Sequence, residues 1–534
     1  MKKIVSLIIV CAVALSAAAV PAKRGGIVRT TADGTEKTVY LYGDAFNHHM
    51  TDAEGNWLDE TTLQPLSAEA KAERQVVSPR ANARRIIQEK KAAVPLNLAP
   101  RGLLIMVNFS DLAFTTPADT IHEMVNGENF SRSFTYTEGG YSFSVKASGS
   151  ARQYFHDQSW GQYNPQFDAV GPFTVSKSYS YYGGNNKSGD DQNVGLMIKE
   201  ACELADAAGV DFTLYDNNND GEVDFVYVLY AGYGEADGGD AETIWPHNFY
   251  LKDGCGINCT LDGKVINNYA CSNELNYSSK LYTGIGTLCH EFSHVLGLPD
   301  LYSTNNATHK TMGEWDVLDY GPYNNLGNTP PAYSAYERFF MGWLKPTVMT
   351  DPRYVYLNPL NDSKEALLLC TGDAHDLVGN NPNPTEFYLL ENRKKEGWDQ
   401  YLPGKGLLIT HVKYNYSKWV GNTVNNSASA MGVDLVEADG SAPTYNEYNP
   451  NNGYMGKAKD AFPAGAKNWL AFENHEVSSI TLTAATGVVG FSYRYGTQDV
   501  EKIETGEAAQ KILRDGQILI IRGGKTYDLN GRAL

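Results

Sequence analysis

The 534-residue chain is short of charge, and shorter still of positive charge. Charged residues make up only 20%, against a hydrophobic fraction of 42%, which excludes a largely disordered chain. Lys and Arg number 44 against 62 Asp and Glu, so the formal net charge is −18. The deficit is uneven. Residues 1–95 hold 13 basic and 10 acidic residues, whereas the remaining 439 hold 31 and 52. So acidic a body is a poor partner for polyanions, which disfavours nucleic acid, and it suits oxygen-ligated cations. Beyond the extreme N-terminus no apolar run approaches the length of a transmembrane helix, so a soluble mature chain is expected. No cysteine lies between residues 12 and 201, which excludes a cysteine-based latency switch in the first third of the chain. No repeat of fixed period is present.

What is there begins with a leader. Lys2 and Lys3 precede the apolar run 4–15, and Ala17-Ala18-Ala19 offers a small-residue cleavage site, so residues 1–19 read as a secretory signal peptide. Cys11 lies inside the apolar run without the flanking residues that lipidation needs. Export permits disulfides. Among Cys202, Cys255, Cys259, Cys271, Cys289 and Cys370, the cluster at 255, 259 and 271 is where one bridge is plausible; six cysteines allow fifteen connectivities and none is assigned.

Length alone implies three or four domains at about 150 residues each. With 34 Tyr and 51 Gly, the composition favours strands and tight turns over a helical bundle. Residues 21–65 read as a small β unit. Residues 66–93 are charged and helix-favouring, carry Arg84-Arg85 and Lys90-Lys91, and lead into a proline-containing stretch, the composition of an exposed linker open to proteolytic trimming. The continuous apolar runs 103–109 and 225–230 predict buried strands, and residues 194–208 and 287–296 have helical spacing. From about residue 350 strand signals dominate, which predicts a β-rich domain of sandwich type. Residues 497–534 form a short appended piece with strands expected at 517–522 and 525–529.

The decisive stretch is His290-Glu291-Phe292-Ser293-His294-Val295-Leu296-Gly297-Leu298-Pro299-Asp300. Two histidines four apart share one helix face and can reach one metal ion. Gly297 can take the positive φ that ends the helix and returns the chain, bringing Asp300 round as a third ligand. Two imidazoles and a carboxylate leave a fourth zinc position open for water, with Glu291 placed as general base. Glu314, 20 residues after His294, is the rival third ligand, but Met312-Gly313-Glu314-Trp315 lacks a helical pattern. Residues 315–320 are read as a turn beneath the metal, with the Tyr320 phenol as a donor to a tetrahedral oxyanion. A second constellation runs Asp216, Asn218, Asp220, Gly221, Glu222, Asp224, oxygen-bearing positions in alternation that suit a calcium ion. It departs from an EF-hand, whose twelfth position here is Tyr227, and Glu222 is expected to contribute its carbonyl. His247 is read as lining the cleft or filling a loop. His48 and His49 are read as a polar turn, or as a cap on the zinc in a latent form.

At this point the chain resembles the immune inhibitor A family of secreted bacterial metallopeptidases, which are related to the metzincins. The motif helix carries the resemblance, together with residues 101–111 (RGLLIMVNFSD), 215–234 (YDNNNDGEVDFVYVLYAGYG), 243–247 (TIWPH), 336–344 (YERFFMGWL) and 387–398 (FYLLENRKKEGW). Residues 43–55 (GDAFNHHMTDAEG) are similar to the propeptides of such enzymes. The resemblance implies an α+β chain with a metzincin-like catalytic domain, secretion as a zymogen, one catalytic zinc on His290, His294 and Asp300, Glu291 as base, bound calcium and endopeptidase activity. It also shows a departure: where metzincins carry a methionine in the turn under the zinc, the matching residue is Leu318. The tail, residues 511–534, resembles C-terminal segments of exported Bacteroidetes proteins, which implies an outer-membrane secretion or attachment signal read by export machinery.

The expected organisation is therefore a signal peptide at 1–19, a propeptide at 20–97, a zinc metallopeptidase catalytic domain at 98–349, a β-sandwich-like domain at 350–496 and a tail at 497–534. The expected function is a secreted or cell-surface zinc endopeptidase, monomeric, acting on protein or peptide substrates. The reading of another class is a non-catalytic, calcium-stabilised surface adhesin that kept a peptidase fold; intact His290, Glu291 and His294 argue against it.

Overall fold

Alternation along one apolar run organises the molecule. In the strand Arg101–Asn108, Leu103, Ile105 and Val107 enter one core, and Leu104 and Met106 enter another on the opposite face. A strand buried on both faces belongs in the middle of a layered sheet. The computed structural model describes residues 18–74, 99–440 and 458–494 and the strands within 510–527, apart from residues 32–33, 139, 187–188, 306–308, 465–467, 471–474, 515–516 and 523–524.

The central sheet has six strands in the order Ala18–Ala19, His247–Tyr250, Asn268–Leu275, Val226–Tyr233, Arg101–Asn108, Gln166–Thr174. The last four run parallel, and His247–Tyr250 is antiparallel to its neighbour. The chain is a mixed α/β protein. The helix Val194–Ala207 covers one face through Met197, Ile198 and Ala201. The motif helix Gly286–Val295 covers the other; Phe292 makes edge-to-face contacts with Phe155, Phe167 and Phe225.

The N-terminal unit is an antiparallel meander of Ile27–Thr30, Glu36–Asp44, Asn47–Thr51 and Trp57–Leu58. Its Val39, Leu41, Phe46 and Met50 share the core of Leu103 and Ile105, so it is packed onto the central sheet. Ala18 and Ala19, placed by their composition in the leader, form a strand antiparallel to His247–Tyr250. Residues 1–17 lie outside the described residues, as do residues 75–98 with their basic pairs; the preceding helix is Ala68–Arg74.

After residue 346 two sheets face each other. One joins Thr347–Val348, Leu367–Cys370, Glu386–Arg393, Gly406–Lys413 and Val433–Leu435, and the other Arg353–Leu357, Val489–Tyr493, Glu476–Leu482 and Trp469–Leu470. Leu369, Leu390, Leu407 and Ile409 of the first sheet meet Val355, Val477 and Phe491 of the second. The alternate residues Leu368, Phe387, Leu389 and Leu408 enter the core that holds Phe292 and Leu318. The β-rich part is thus fused to the floor of the motif helix. The tail has a three-stranded sheet, Gln510–Arg514, Gln517–Arg522 and Lys525–Tyr527, one strand more than its sequence pattern suggests.

No bridge joins Cys255, Cys259 and Cys271: these three and Cys202, Cys289 and Cys370 are all free thiols. Cys271 sits in a central strand with Sγ 3.9 Å from His247 Nδ1, while Cys255 Sγ lies 3.8 Å from the Tyr269 hydroxyl. Closeness in sequence does not bring those sulfurs together. Among the described residues no helix is long and apolar enough to cross a membrane.

Candidate active site

The motif helix is buried along its whole length. It ends in a Schellman turn: Gly297 N–H donates to the His294 carbonyl at 2.9 Å and Leu298 N–H to the Ser293 carbonyl at 3.1 Å. Gly297 holds φ +97°, a conformation glycine adopts without strain. The reversal carries the chain back so that Asp300 faces the helix it has just left.

His290 Nε2 and His294 Nε2 lie 3.1 Å apart, and Asp300 Oδ1 is 3.2 Å from the first and 3.3 Å from the second. Ligands at zinc bond lengths of about 2.0–2.1 Å in a tetrahedron stand about 3.3 Å apart, so this triangle has the size of one face of a zinc polyhedron. Both imidazoles are oriented from behind. His290 Nδ1 is 2.7 Å from the Val317 carbonyl and His294 Nδ1 is 2.8 Å from the Leu298 carbonyl. A carbonyl only accepts, so each Nδ1 carries the proton and each Nε2 presents its lone pair. Asp300 Oδ1 is buried with no hydrogen-bond partner, the atom such a ligand set leaves waiting for a cation. Burial lowers the His290 imidazole. The residues present therefore fit a zinc ion. Glu314 is not part of this converging group.

Glu291 is fully buried beside the triangle. Burial pushes its carboxyl up, and the charge of Asp300 adds to the effect. Its Oε1 accepts from Val20 N–H at 3.1 Å, and its Oε2 has no partner.

Residues 97–344 match the model of the immune inhibitor A peptidase M6 catalytic domain. Residues 97–344 belong to the immune inhibitor A peptidase M6 family. Pre-pro-metalloprotease PrtV of Vibrio cholerae is 27% identical over 323 residues, covering 53% of this chain and 32% of that protein. Immune inhibitor A of Bacillus thuringiensis subsp. alesti is 26% identical over 214 residues, covering 35% of this chain and 31% of its own length. The chain thus spans about a third of the length of these curated relatives. The chain carries a metallopeptidase domain.

The peptidase M6 domain does not hold its third candidate ligand alone. Asp300 N–H donates to Asn422 Oδ1 at 2.7 Å, and Asn422 Nδ2 donates to Asp300 Oδ2 at 2.6 Å. Asn425 Nδ2 donates to the Leu301 carbonyl at 2.8 Å, and Thr304 N–H to Asn426 Oδ1 at 2.8 Å. These asparagines lie beyond the family match, in the β-rich part. Their only sequence signal is an Asn-rich stretch, G-N-T-V-N-N at 421–426, with nothing to connect it to residue 300.

Leu318 is fully buried in the core under the motif helix, and its carbonyl accepts from Leu301 N–H at 2.8 Å. Tyr320 packs with Tyr302 and Tyr323, and Arg24 of the N-terminal unit stands 4.7 Å over its ring. The phenol expected to serve an oxyanion is therefore under the N-terminal segment. Tyr302 donates its hydroxyl to the Ala19 carbonyl, Tyr323 donates to the Pro21 carbonyl at 2.6 Å, and Trp245 Nε1 donates to the Val20 carbonyl at 3.0 Å. His247 fills the interior, between the Trp245 carbonyl at 2.7 Å and the Tyr269 hydroxyl at 3.0 Å.

In the loop 216–224, Asp216 accepts from the amides of Asp220 and Gly221 at 3.0 Å each, and Asn218 Nδ2 donates to Asp220 and Asp224 at 3.2 and 3.1 Å. Lys264 Nζ lies 2.6 Å from Asp216 Oδ2, so the chain supplies its own cation at the first of the five positions. Burial pushes the Asp224 carboxyl up to about 6. Glu222 donates its N–H to Asp220 Oδ1 at 2.9 Å. His48 and His49 do not reach the His290 triangle. His49 stacks on Trp57 at 4.0 Å, and His48 joins a different buried group.

Proposed function

We propose that the chain is a secreted zinc-dependent endopeptidase, made as a zymogen, that hydrolyses peptide bonds of extracellular proteins. The observation that carries this reading is the buried donor triangle of His290, His294 and Asp300 beside the partnerless Oε2 of Glu291. A zinc ion bound there supplies Lewis-acid polarisation of the scissile carbonyl and a water of lowered pKa. Glu291 Oε2 takes the proton of the attacking water and returns it to the departing amine. His290 and His294 keep their lone pairs directed inward through their Nδ1–H bonds to the Val317 and Leu298 carbonyls. Tyr320 donates its phenol to the tetrahedral oxyanion once the segment over it has left.

The zymogen reading is supported by the path of residues 20–24, which remain once a leader of residues 1–19 is removed. They place the Val20 nitrogen on the proposed base, the Pro21 carbonyl on the Tyr323 hydroxyl and Arg24 over the Tyr320 ring. While that segment stays, Glu291 is engaged and Tyr320 is covered.

Calcium is proposed at residues 216–224, where Lys264 must first leave Asp216.

The test compares protein trimmed between residues 75 and 98 with its Glu291→Ala and His290→Ala variants, measuring zinc content and casein hydrolysis. The trimmed parent should bind zinc and cleave. Glu291→Ala should keep the zinc and lose about 10²–10⁴-fold in rate, the contribution of a positioned general base. His290→Ala should lose both. A parent that binds no zinc would return the adhesin reading, whereas one that binds zinc and cuts no peptide would point to Leu318 or to an N-terminal unit still docked on the site.

A further inference from the structure

A second group of metal-ligating side chains lies at the seam between the N-terminal unit and the catalytic domain. His48 comes from the strand Asn47–Thr51, Glu60 from the turn after Trp57–Leu58, and Glu235 from a turn at the end of the central strand Val226–Tyr233. The His48 and Glu235 side chains are each 2% exposed, as is that of Glu60, so the group is sealed from solvent. Its ligand atoms lie within 4.8 Å of one another.

The distances are those of atoms gathered around a point rather than bonded to each other. His48 Nε2 stands 3.5 Å from Glu235 Oε1 and 3.9 Å from Glu60 Oε2. Good N–H···O bonds end near 3.2 Å, whereas two ligands of a tetrahedral zinc at about 2.1 Å stand about 3.4 Å apart, so the closer pair has that spacing as it stands and the wider pair must draw in by about half an ångström. His48 Nε2 and Glu235 Oε2 have no hydrogen-bond partner, although both are buried. His48 Nδ1 is 3.1 Å from the Asp44 carbonyl, which fixes the proton on Nδ1 and turns the Nε2 lone pair toward the carboxylates. Trp245 stacks on the ring at 4.5 Å and holds its plane. A fourth donor is at hand. Asn185 Nδ2 lies 2.9 Å from Glu235 Oε1 and 3.4 Å from Glu60 Oε2, while its buried Oδ1 has no partner; a half-turn of that amide presents Oδ1 to the same point.

We propose that His48, Glu60, Glu235 and Asn185 hold a second divalent cation, of the zinc class, that fastens the N-terminal unit to the catalytic domain. One imidazole among oxygen donors selects zinc-like ions over calcium or magnesium, which take oxygen alone. The charge accounting agrees. Arg74 already pairs with Glu60 Oε1, and a dication offsets the second buried carboxylate without requiring His48 to be charged. Because His48 and Glu60 belong to one unit and Glu235 and Asn185 to the other, loss of the cation loosens the seam. The consequence for latency rests on the zymogen reading; the metal count does not.

The test uses full-length protein carrying Glu291→Ala, so that no self-processing separates the units, dialysed against zinc and counted by elemental analysis. Two zinc ions per chain are expected. Adding Glu60→Gln, which preserves shape, or His48→Ala should leave one, and adding His290→Ala instead should remove the other. Glu60→Gln keeps the test open should His48→Ala fail to fold. One zinc per chain, lost with His290→Ala and untouched by Glu60→Gln or His48→Ala, overturns the proposal, as do two zinc ions that survive both seam variants. A zinc lost with Glu60→Gln but kept with His290→Ala would uphold this site and overturn the catalytic assignment instead.

Discussion

Two buried triads of potential metal ligands differ in how they are assembled. His290, His294 and Asp300 come from eleven consecutive residues, and their donor atoms stand 3.1–3.3 Å apart. His48, Glu60 and Glu235 come from two packed units, and His48 stands 3.5–3.9 Å from its carboxylates. A triad built on one helix and one turn has its geometry set by that local structure, with Asn422 added as a clamp on its third member. A triad built across a seam exists only while the seam is closed. The first arrangement suits a centre that must persist through turnover, and the second suits one that reports whether two parts are together.

The comparison can be broken from either side. The largest effect is expected from the floor of the tight triad. Leu318→Ala leaves a cavity in a fully buried position and should cost about 2–5 kcal/mol by denaturant titration, whereas Leu318→Met, which keeps volume, should cost under about 1.5 kcal/mol. Next is the remote clamp on its third member. Asn422→Ala removes both hydrogen bonds to Asp300 and should weaken zinc affinity about 10–100-fold by competition with a chelator, with the fold intact by circular dichroism.

The looser triad should show itself through pH. Without a cation, burial alone would lower His48, but Glu235 and Glu60 outweigh it, Arg74 opposes them weakly, and the imidazole rises to about 9. A folded pKa above the unfolded value of about 6.5 means stabilisation that is full below 6.5 and lost as pH rises through about 9. Chelator-treated full-length protein should therefore lose melting temperature over that window, and added zinc should remove the slope. The smallest effect concerns the loop 216–224. Lys264→Ala, by freeing Asp216, should raise calcium affinity in calorimetry; an unchanged or weaker affinity would show that the lysine, rather than calcium, completes the loop.

The tight triad is legible in the sequence because helix spacing and a glycine stop are local signals, and so are the strand Arg101–Asn108 and the helix Val194–Ala207. What escapes is whatever depends on long-range docking. Asn422 lies 122 residues from Asp300 in a stretch that looks like any polar loop. The histidines of 48 and 49 suggest a polar turn or a zinc cap, because only the fold shows that His48 meets Glu235, 187 positions away. The cysteines 255, 259 and 271 mislead for the converse reason: nearness in sequence is overridden by strand placement. Ala18 and Ala19 read as leader because alanine carries no pattern that would mark an edge strand.

The hold of Asn422 on Asp300 also bears on the order in which the enzyme comes into being. The chain is made from its N-terminus, so the segment that rests on Glu291 is delivered some 400 residues before the asparagine that fixes the third ligand. The segment proposed to restrain the site is therefore made before the candidate ligand set is completed.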